Sequence, residues 1–252
     1  MIIEYHRPTT LQEALDLLKR SEPVSLPLAG GSALNRPDGP PVAAVDLQAL
    51  GLDTCQSRGN TIEMGATLTL QTLAGAEMTS PVLKAVILYE ATHNLRQVAT
   101  VAGTLVAADG RSPFAAALLA LDAELTLQPG DETTSLGDLL PLRRERLPHR
   151  LITRVSIPAN ARLAYEYVAR TPADRPIVCV AAAQWPSGRT RLAVGGFGPA
   201  PRLAFDGTES QGAPLAARDA CSQAQDAWAS ADYRQEVAQV LAQRCISSLG
   251  TS

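Results

Sequence analysis

Apolar and polar positions change rhythm along the chain, and each rhythm predicts an element. Ile2-Ile3-Glu4-Tyr5 predicts a short strand. Leu11, Ala14, Leu15 and Leu18 fall on one face of a helix that opens on the capping-box spacing Thr10-x-x-Glu13. The apolar runs Val24–Leu28 and Val42–Leu47 predict two more strands, so the first stretch is a small βαβ-like unit. Thr61–Gly65 alternates like a strand. Thr69 then caps a helix over Leu70–Ala76, and Ser80-Pro81 starts another over Val82–Glu90, with proline at the first helical position. Ser112-Pro113 opens a further helix through Leu121, and Ala123–Gln128 and Leu151–Ile157 read as strands. Beyond about Asn160 three strands are expected, at Ala161–Ala169, Ile177–Gln184 and Arg189–Phe197. The last two are joined by the hairpin turn Pro186-Ser187-Gly188. Helices at Pro214–Trp228 and Asp232–Leu249 close the chain, giving an α+β layer of its own.

Composition narrows the function classes. Lys plus Arg number 22 against 25 Asp plus Glu, a net charge of −3, which gives no basic balance for nucleic acid. The densest basic run, Arg143-Arg144-Glu145-Arg146, reads as a solvated loop. The longest apolar stretch, Phe114–Leu121, is far short of the roughly 20 residues of a membrane helix, and Met1–Glu4 shows no secretory pattern. The four cysteines, at 55, 179, 221 and 245, form no CxxC unit, and His6, His93 and His149 are equally scattered. A zinc site or iron–sulfur cluster built by this chain alone is therefore not expected, and the thiols read as reduced and cytoplasmic.

Two small-residue segments carry the candidate chemistry. Gly30-Gly31-Ser32 follows an apolar strand, where glycines let a backbone approach a ligand and free N–H groups cradle phosphate oxygens. Taken alone, it reads first as a tight turn with no ligand. Thr100-Val101-Ala102-Gly103-Thr104 is the second segment; its plain reading is a buried strand narrowed for packing. Together, one per lobe, they are better explained by an extended ligand between lobes. Gly195-Gly196-Phe197-Gly198 fails the dinucleotide spacing, because Pro201 stands where the third glycine belongs and Pro199-Ala200-Pro201 blocks a helix start.

In order and spacing these segments resemble the FAD-binding medium subunit of molybdenum hydroxylases, the class that includes carbon monoxide dehydrogenase and xanthine dehydrogenase. The resemblance rests on Tyr5-His6-Arg7-Pro8, on Leu28-Ala29-Gly30-Gly31-Ser32, on Asn94–Leu105, on Ala116–Ala123, on Ile152–Pro158 and on Leu192–Pro201. It implies a two-lobed FAD-binding fold of the vanillyl-alcohol-oxidase (PCMH) type over residues 1–159, with lobes about 1–53 and 54–159. A small α+β domain with a three-stranded antiparallel sheet and helices would follow over 160–252. It implies no catalytic residue and no metal ligand on this chain. The cofactor residues it implies are Leu28, Ala29, Gly30, Gly31, Ser32, Ala33 and Leu34 in the first segment, and Thr100, Ala102, Gly103, Thr104, Asp109 and Ile152 beyond it.

The same resemblance implies a complex with a molybdopterin-binding large subunit and a [2Fe-2S] small subunit. Electrons would pass through FAD to an external acceptor such as NAD, quinone or oxygen. The chain departs from the family pattern at several places: Thr104 stands where an asparagine is usual, and the stretch Asn35–Val42 is shorter than the usual loop. Ala102 replaces the first glycine of the usual pair, Pro113 stands where an acid follows the serine, and Glu166 takes the place of a common lysine. The alternative is a degenerate family member that keeps the fold as a structural subunit without FAD. A stand-alone FAD oxidase is disfavoured, because no flavin-attachment motif or separate substrate domain is visible.

Overall fold

The computed structural model describes residues 1–32, 34 and 39–250. It builds three sheets in chain order. The first holds three parallel strands, β1 (Ile2–His6), β2 (Ser25–Leu28) and β3 (Val42–Asp46), in the order β1-β3-β2. Helix α1 (Leu11–Leu18) crosses between β1 and β2, and Thr10 and Glu13 close the expected capping box. Every residue of β3 is buried, because it lies between two strands and under Ala14, Leu15 and Leu18 of α1.

The second sheet is antiparallel, in the order β4-β5-β8-β6-β7: β4 (Cys55–Arg58), β5 (Thr61–Gly65), β6 (Glu124–Gln128), β7 (Glu132–Ser135) and β8 (Leu151–Pro158). Its helices are α2 (Leu70–Gly75), α3 (Pro81–Glu90), α4 (His93–Arg96), α5 (Val101–Ala107), α6 (Pro113–Ala120) and α7 (Leu136–Arg146). Leu151 of β8 joins the core of the first sheet, and the His149 ring meets the Leu18 carbonyl at 2.6 Å, so the two sheets are tied at this strand's start.

The third sheet corrects the expected three strands to four. To β9 (Arg162–Val168), β10 (Val178–Gln184) and β11 (Thr190–Gly195) the chain adds β12 (Arg202–Gly207), in the antiparallel order β12-β11-β10-β9. β12 escapes a pattern reading because it is an edge strand after a proline pair, with Arg202 and Leu203 exposed. Cys179, Ala181 and Ala183 of β10 face the core of the second layer, while Val178, Val180 and Ala182 face the helices that follow. Small side chains on the inner face let α6, buried along its whole length, lie close to this sheet.

The closing helices are α8 (Ala213–Asp219) and α9 (Ala231–Gly250). The helix expected to reach Trp228 ends at Asp219; further on, the Asp226 carboxylate takes the N–H groups of Trp228 and Ala229 at 2.8 and 3.2 Å and turns the chain toward α9. Arg234 of α9 is fully buried and locks this turn. It pairs with Asp226 at 2.9 Å and donates to the carbonyls of Ile177, Ala224, Ala229 and Gly196. The Arg143–Arg146 run is the last turn of α7 and not a solvated loop. Arg143 donates to the carbonyls of Val106, Ala108 and Pro199 at 3.2, 2.6 and 2.9 Å, satisfying the end of α5.

The C-terminal glycine run is a joint between layers. Gly110 donates to the Gly198 carbonyl at 2.9 Å, and Gly196 donates to the Gly110 carbonyl at 2.6 Å. A Cβ at position 110 would stand 1.5 Å from the Phe197 carbonyl oxygen, and Gly196 has φ +110°. Gly110→Ala therefore forces backbone apart and is expected to cost about 3 kcal/mol, whereas Gly75→Ala meets open space and costs nothing. Denaturant unfolding of the two variants checks this; equal stabilities would contradict the close approach.

Candidate cofactor site

The first small-residue segment leaves the sheet at the end of β2. Leu28 pairs with Asp46, and its carbonyl accepts the Leu47 N–H at 2.9 Å, which fixes where the chain departs. Asp46 is itself buried and held by the Tyr5 hydroxyl, by Arg7 at 3.7 Å and by the Gln48 N–H at 2.9 Å. Gly31 then adopts φ +74°, a left-handed conformation that glycine takes without strain. Among the described residues, no partner within the chain takes up the N–H groups of Gly30, Gly31 and Ser32. Leu28, Ala29 and Leu34 are half-buried and Ser32 is exposed; Ala33 lies outside the described residues.

The second segment is fixed from behind. It is a helix start and not the narrow strand of its plain reading. Thr100 bridges to Thr69 and caps α5, its Oγ1 accepting the Gly103 N–H at 3.2 Å. Val101 and Ala102 donate to the carbonyls of Leu68 and Ala66 at 2.9 and 3.2 Å, and Thr104 donates to the Thr100 carbonyl at 2.8 Å. The N–H groups of this segment are thus spent on the protein itself. What it presents outward is the exposed Gly103 and the half-buried Thr104.

The two segments meet. A Cβ at position 30 would lie 1.6 Å from the Val98 carbonyl oxygen and 3.4 Å from the Ala99 nitrogen, so the first loop rests on the main chain that leads into the second. Only glycine permits that contact. The result is a glycine ledge on which, among the described residues, the N–H groups of Gly30, Gly31 and Ser32 have no partner in the chain, a donor set suited to a diphosphate.

Of the departures from the family pattern, Thr104 lies on the outward surface of the second segment, and Ala102, Pro113 and Glu166 fall elsewhere; residues 35–38 of the shortened stretch lie outside the described residues. The Ala102 methyl is 7% exposed and belongs to the core, so it does not stand on the ledge. Pro113 is the first residue of α6; the carboxylate at that helix start comes from Glu90, which accepts from Ser112 Oγ at 2.8 Å and from the Phe114 N–H at 2.9 Å. Glu90 carries no motif, and only its place at the end of α3 reveals it. Glu166 pairs across from Val180 on the α9 face of the third sheet and acts on Cys245, on the opposite face from Tyr165 and Tyr167. Asp109 is half-exposed and gives both oxygens to Arg175 at 2.8 Å. Ile152 is buried in β8 and belongs to the core. Among the described residues no cluster of metal-ligating side chains occurs, and no helix is long and apolar enough to cross a membrane.

Sheets, helices and the ledge together define a two-lobed flavin-binding fold with an appended α+β layer. A family model described as the FAD binding domain in molybdopterin dehydrogenase matches residues 1–160, and the chain belongs to this family. FAD is the cofactor that its domain binds. The protein YgfM of Escherichia coli (strain K12) is 31% identical over 201 residues, 78% of this chain and 75% of that protein. A chain of carbon monoxide dehydrogenase from Hydrogenophaga pseudoflava, in a form lacking the Mo-pyranopterin moiety, shares the fold with a TM-score of 0.83 at 22% identity, over 98% of this chain and 96% of that one. Quinoline 2-oxidoreductase from Pseudomonas putida 86 gives 0.81 at 22% identity, over 97% and 95%.

Thr100→Ala removes the cap of α5 and is expected to cost about 1 kcal/mol, with Thr100→Ser retaining most of it. Ala102→Gly removes a core methyl and adds a helix-interior glycine, at about 1–2 kcal/mol. Denaturant midpoints check both; a neutral Ala102→Gly would put the methyl outside the core.

Proposed function

We propose that the chain is the FAD-binding electron-transfer subunit of a molybdopterin-dependent hydroxylase or dehydrogenase. The observation that carries the reading is the convergence of Gly30 on the Val98–Ala99 main chain, inside a segment that the family model covers from end to end. In this reading the N–H groups of Gly30, Gly31 and Ser32 hold the FAD diphosphate. Leu28, Ala29 and Leu34 flank it, and Gly103 and Thr104 form the opposite wall. Thr100, Ala102 and Ile152 set that wall from behind, and Asp109 continues it toward the C-terminal layer. When bound, FAD supplies the capacity to take up and release electrons; the chain's own residues bind it, orient it and leave its diphosphate unobstructed.

The units of this reading are 1–159, with lobes at 1–53 and 54–159, and 160–252; the end of the family match at residue 160 supports the division. Partners are a molybdopterin-binding large subunit and a [2Fe-2S] small subunit. The named relatives support this, being carbon monoxide and quinoline oxidoreductases, the former with a molybdenum cofactor. Electrons from the [2Fe-2S] clusters leave for an external acceptor such as NAD, quinone or oxygen. Four free thiols and the lack of a membrane-crossing helix among the described residues accord with work in the cytoplasm.

Co-expression with its partners and purification of the complex test the reading. The complex is expected to carry one FAD per copy of this chain. Gly30→Ala, whose Cβ would push the loop off the Val98 carbonyl, is expected to weaken FAD binding at least about tenfold, with a loss of stability like that of Gly110→Ala. A complex replete in iron and molybdenum but free of flavin would contradict it and favour a structural subunit. Hydroxylation of a substrate by this chain alone would contradict the partnership.

A further inference from the structure

Residues 88–98 run from the end of α3 through α4 to the main chain on which Gly30 rests. Their apolar side chains face outward: Leu88, Tyr89, Leu95 and Val98 are 53, 44, 41 and 45% exposed. The other exposed residues of the segment are polar, and none is an acid, a lysine or an arginine. Two charged residues do belong to it, an ordinary share for a chain that is 19% charged, but both are engaged inward. Arg96 is buried and donates to the Ala91 carbonyl at 2.6 Å and to Gln71 at 3.1 Å. Glu90 is half-buried and accepts from Ser112 and from the Phe114 N–H. An exposed apolar residue elsewhere has different company: Leu142 of α7 has the exposed Arg144 and Glu145 within one turn.

The surface is also stiff. Arg96 ties it to α2 through Gln71, and the Leu95 carbonyl takes the N–H groups of Val98 and Ala99 at 3.1 and 2.8 Å. The Tyr89 ring packs 4.7 Å from that of Tyr167, which stacks on Tyr165 at 5.8 Å, both on β9 of the third sheet. An exposed tyrosine with acids and lysines excluded around it is the composition of an interface centre. A ring already fixed by its neighbours loses little freedom when a partner covers it.

We propose that residues 88–98 are the docking surface for the [2Fe-2S] subunit, with Tyr89 as the anchor. The inference rests on the proposed function and adds the place at which the electron donor is received. Position selects the occupant. One end of the segment carries the Val98 carbonyl under Gly30, and the other reaches the third sheet at Tyr167. Electron transfer weakens steeply with distance, so the subunit that donates to FAD sits against the cofactor layer. The molybdopterin subunit passes its electrons to the clusters and needs no such contact. The absence of outward charge fits a permanent apolar contact, not the charge-steered encounter of a transient carrier. Eleven residues make the centre of such a contact; a standard interface uses about 20–30 a side, so its polar rim lies outside the segment.

Site-specific photo-cross-linking in the co-expressed complex tests the surface. A benzoyl-phenylalanine in place of Leu88 or Leu95 is expected to join this chain to the [2Fe-2S] subunit. The same group in place of Leu215 or Val240, exposed on α8 and α9, is expected to give no such product. Leu95→Lys is expected to weaken the affinity of the full chain for the [2Fe-2S] subunit at least about tenfold, with its unfolding midpoint and FAD content unchanged, whereas Leu215→Lys alters none of the three. Cross-links from 88 and 95 to the molybdopterin subunit or to a second copy, no cross-link, or full affinity in Leu95→Lys would overturn the docking surface. A complex assembled through another face contradicts this inference alone. A wild-type chain that joins no [2Fe-2S] subunit would overturn both this inference and the proposed function.

Discussion

A Cβ at position 30 would occupy almost the same space as the Val98 carbonyl oxygen, 1.6 Å away, and the site is organised around that missing atom. The glycine lets a loop from the parallel sheet lie directly on the main chain between α4 and α5. Both sides of the contact are stiff. On one side β3 is buried along its length and Asp46 anchors the exit of β2 through Tyr5, Arg7 and Gln48. On the other, Ala99, Val101 and Ala102 are hydrogen-bonded to Leu70, Leu68 and Ala66. A ledge held from both sides meets less of the ordering cost that a free loop would meet on binding. The two segments differ: among the described residues the N–H groups of the first have no partner in the chain, whereas those of the second are already satisfied.

The third sheet serves the same end from a distance. It meets the cofactor layer along α6 and through residues 109–112 behind α5, where glycine again removes a side chain so that backbone touches backbone at Gly110 and Phe197. Arg234 fixes the glycine run from the far side by holding the Gly196 carbonyl, the Ile177 carbonyl and Asp226 together. Truncating such a buried arginine would strand a carboxylate and several carbonyls, which is why one residue can hold this layer in register. The appended layer is thus part of the support of α5, one wall of the proposed cofactor site.

What the sequence made legible follows from where burial leaves a periodic trace. The capping box at Thr10, the proline starts at Pro81 and Pro113 and the buried strands β3, β8, β10 and β11 all read correctly, because each has a local signal or a two-sided apolar run. The polar edge strands β4 and β7 and the edge strand β12 have no such trace. α7 was hidden by Pro141 and a weakly patterned face, so its arginines read as loop. The glycines of the ledge were legible as small residues, but not the inequality between the two segments, which depends on partners some thirty residues away in sequence at Ala66 and Leu68. Glu90 was invisible because a half-buried acid at a helix end has no spacing to read. Family resemblance supplied the order of the segments; the packing explains why an alanine at 102 and a glutamate at 166 fit this fold, one in the core and the other on the far face of the sheet.

The most direct measurement is an experimental structure of the chain, within its complex, loaded with FAD. The account predicts the diphosphate in hydrogen-bond contact with the N–H groups of Gly30, Gly31 and Ser32, with Gly103 and Thr104 against it and Gly30 still seated on the Val98 carbonyl. A diphosphate held by other residues, or the two segments drawn apart with the cofactor elsewhere, would contradict it.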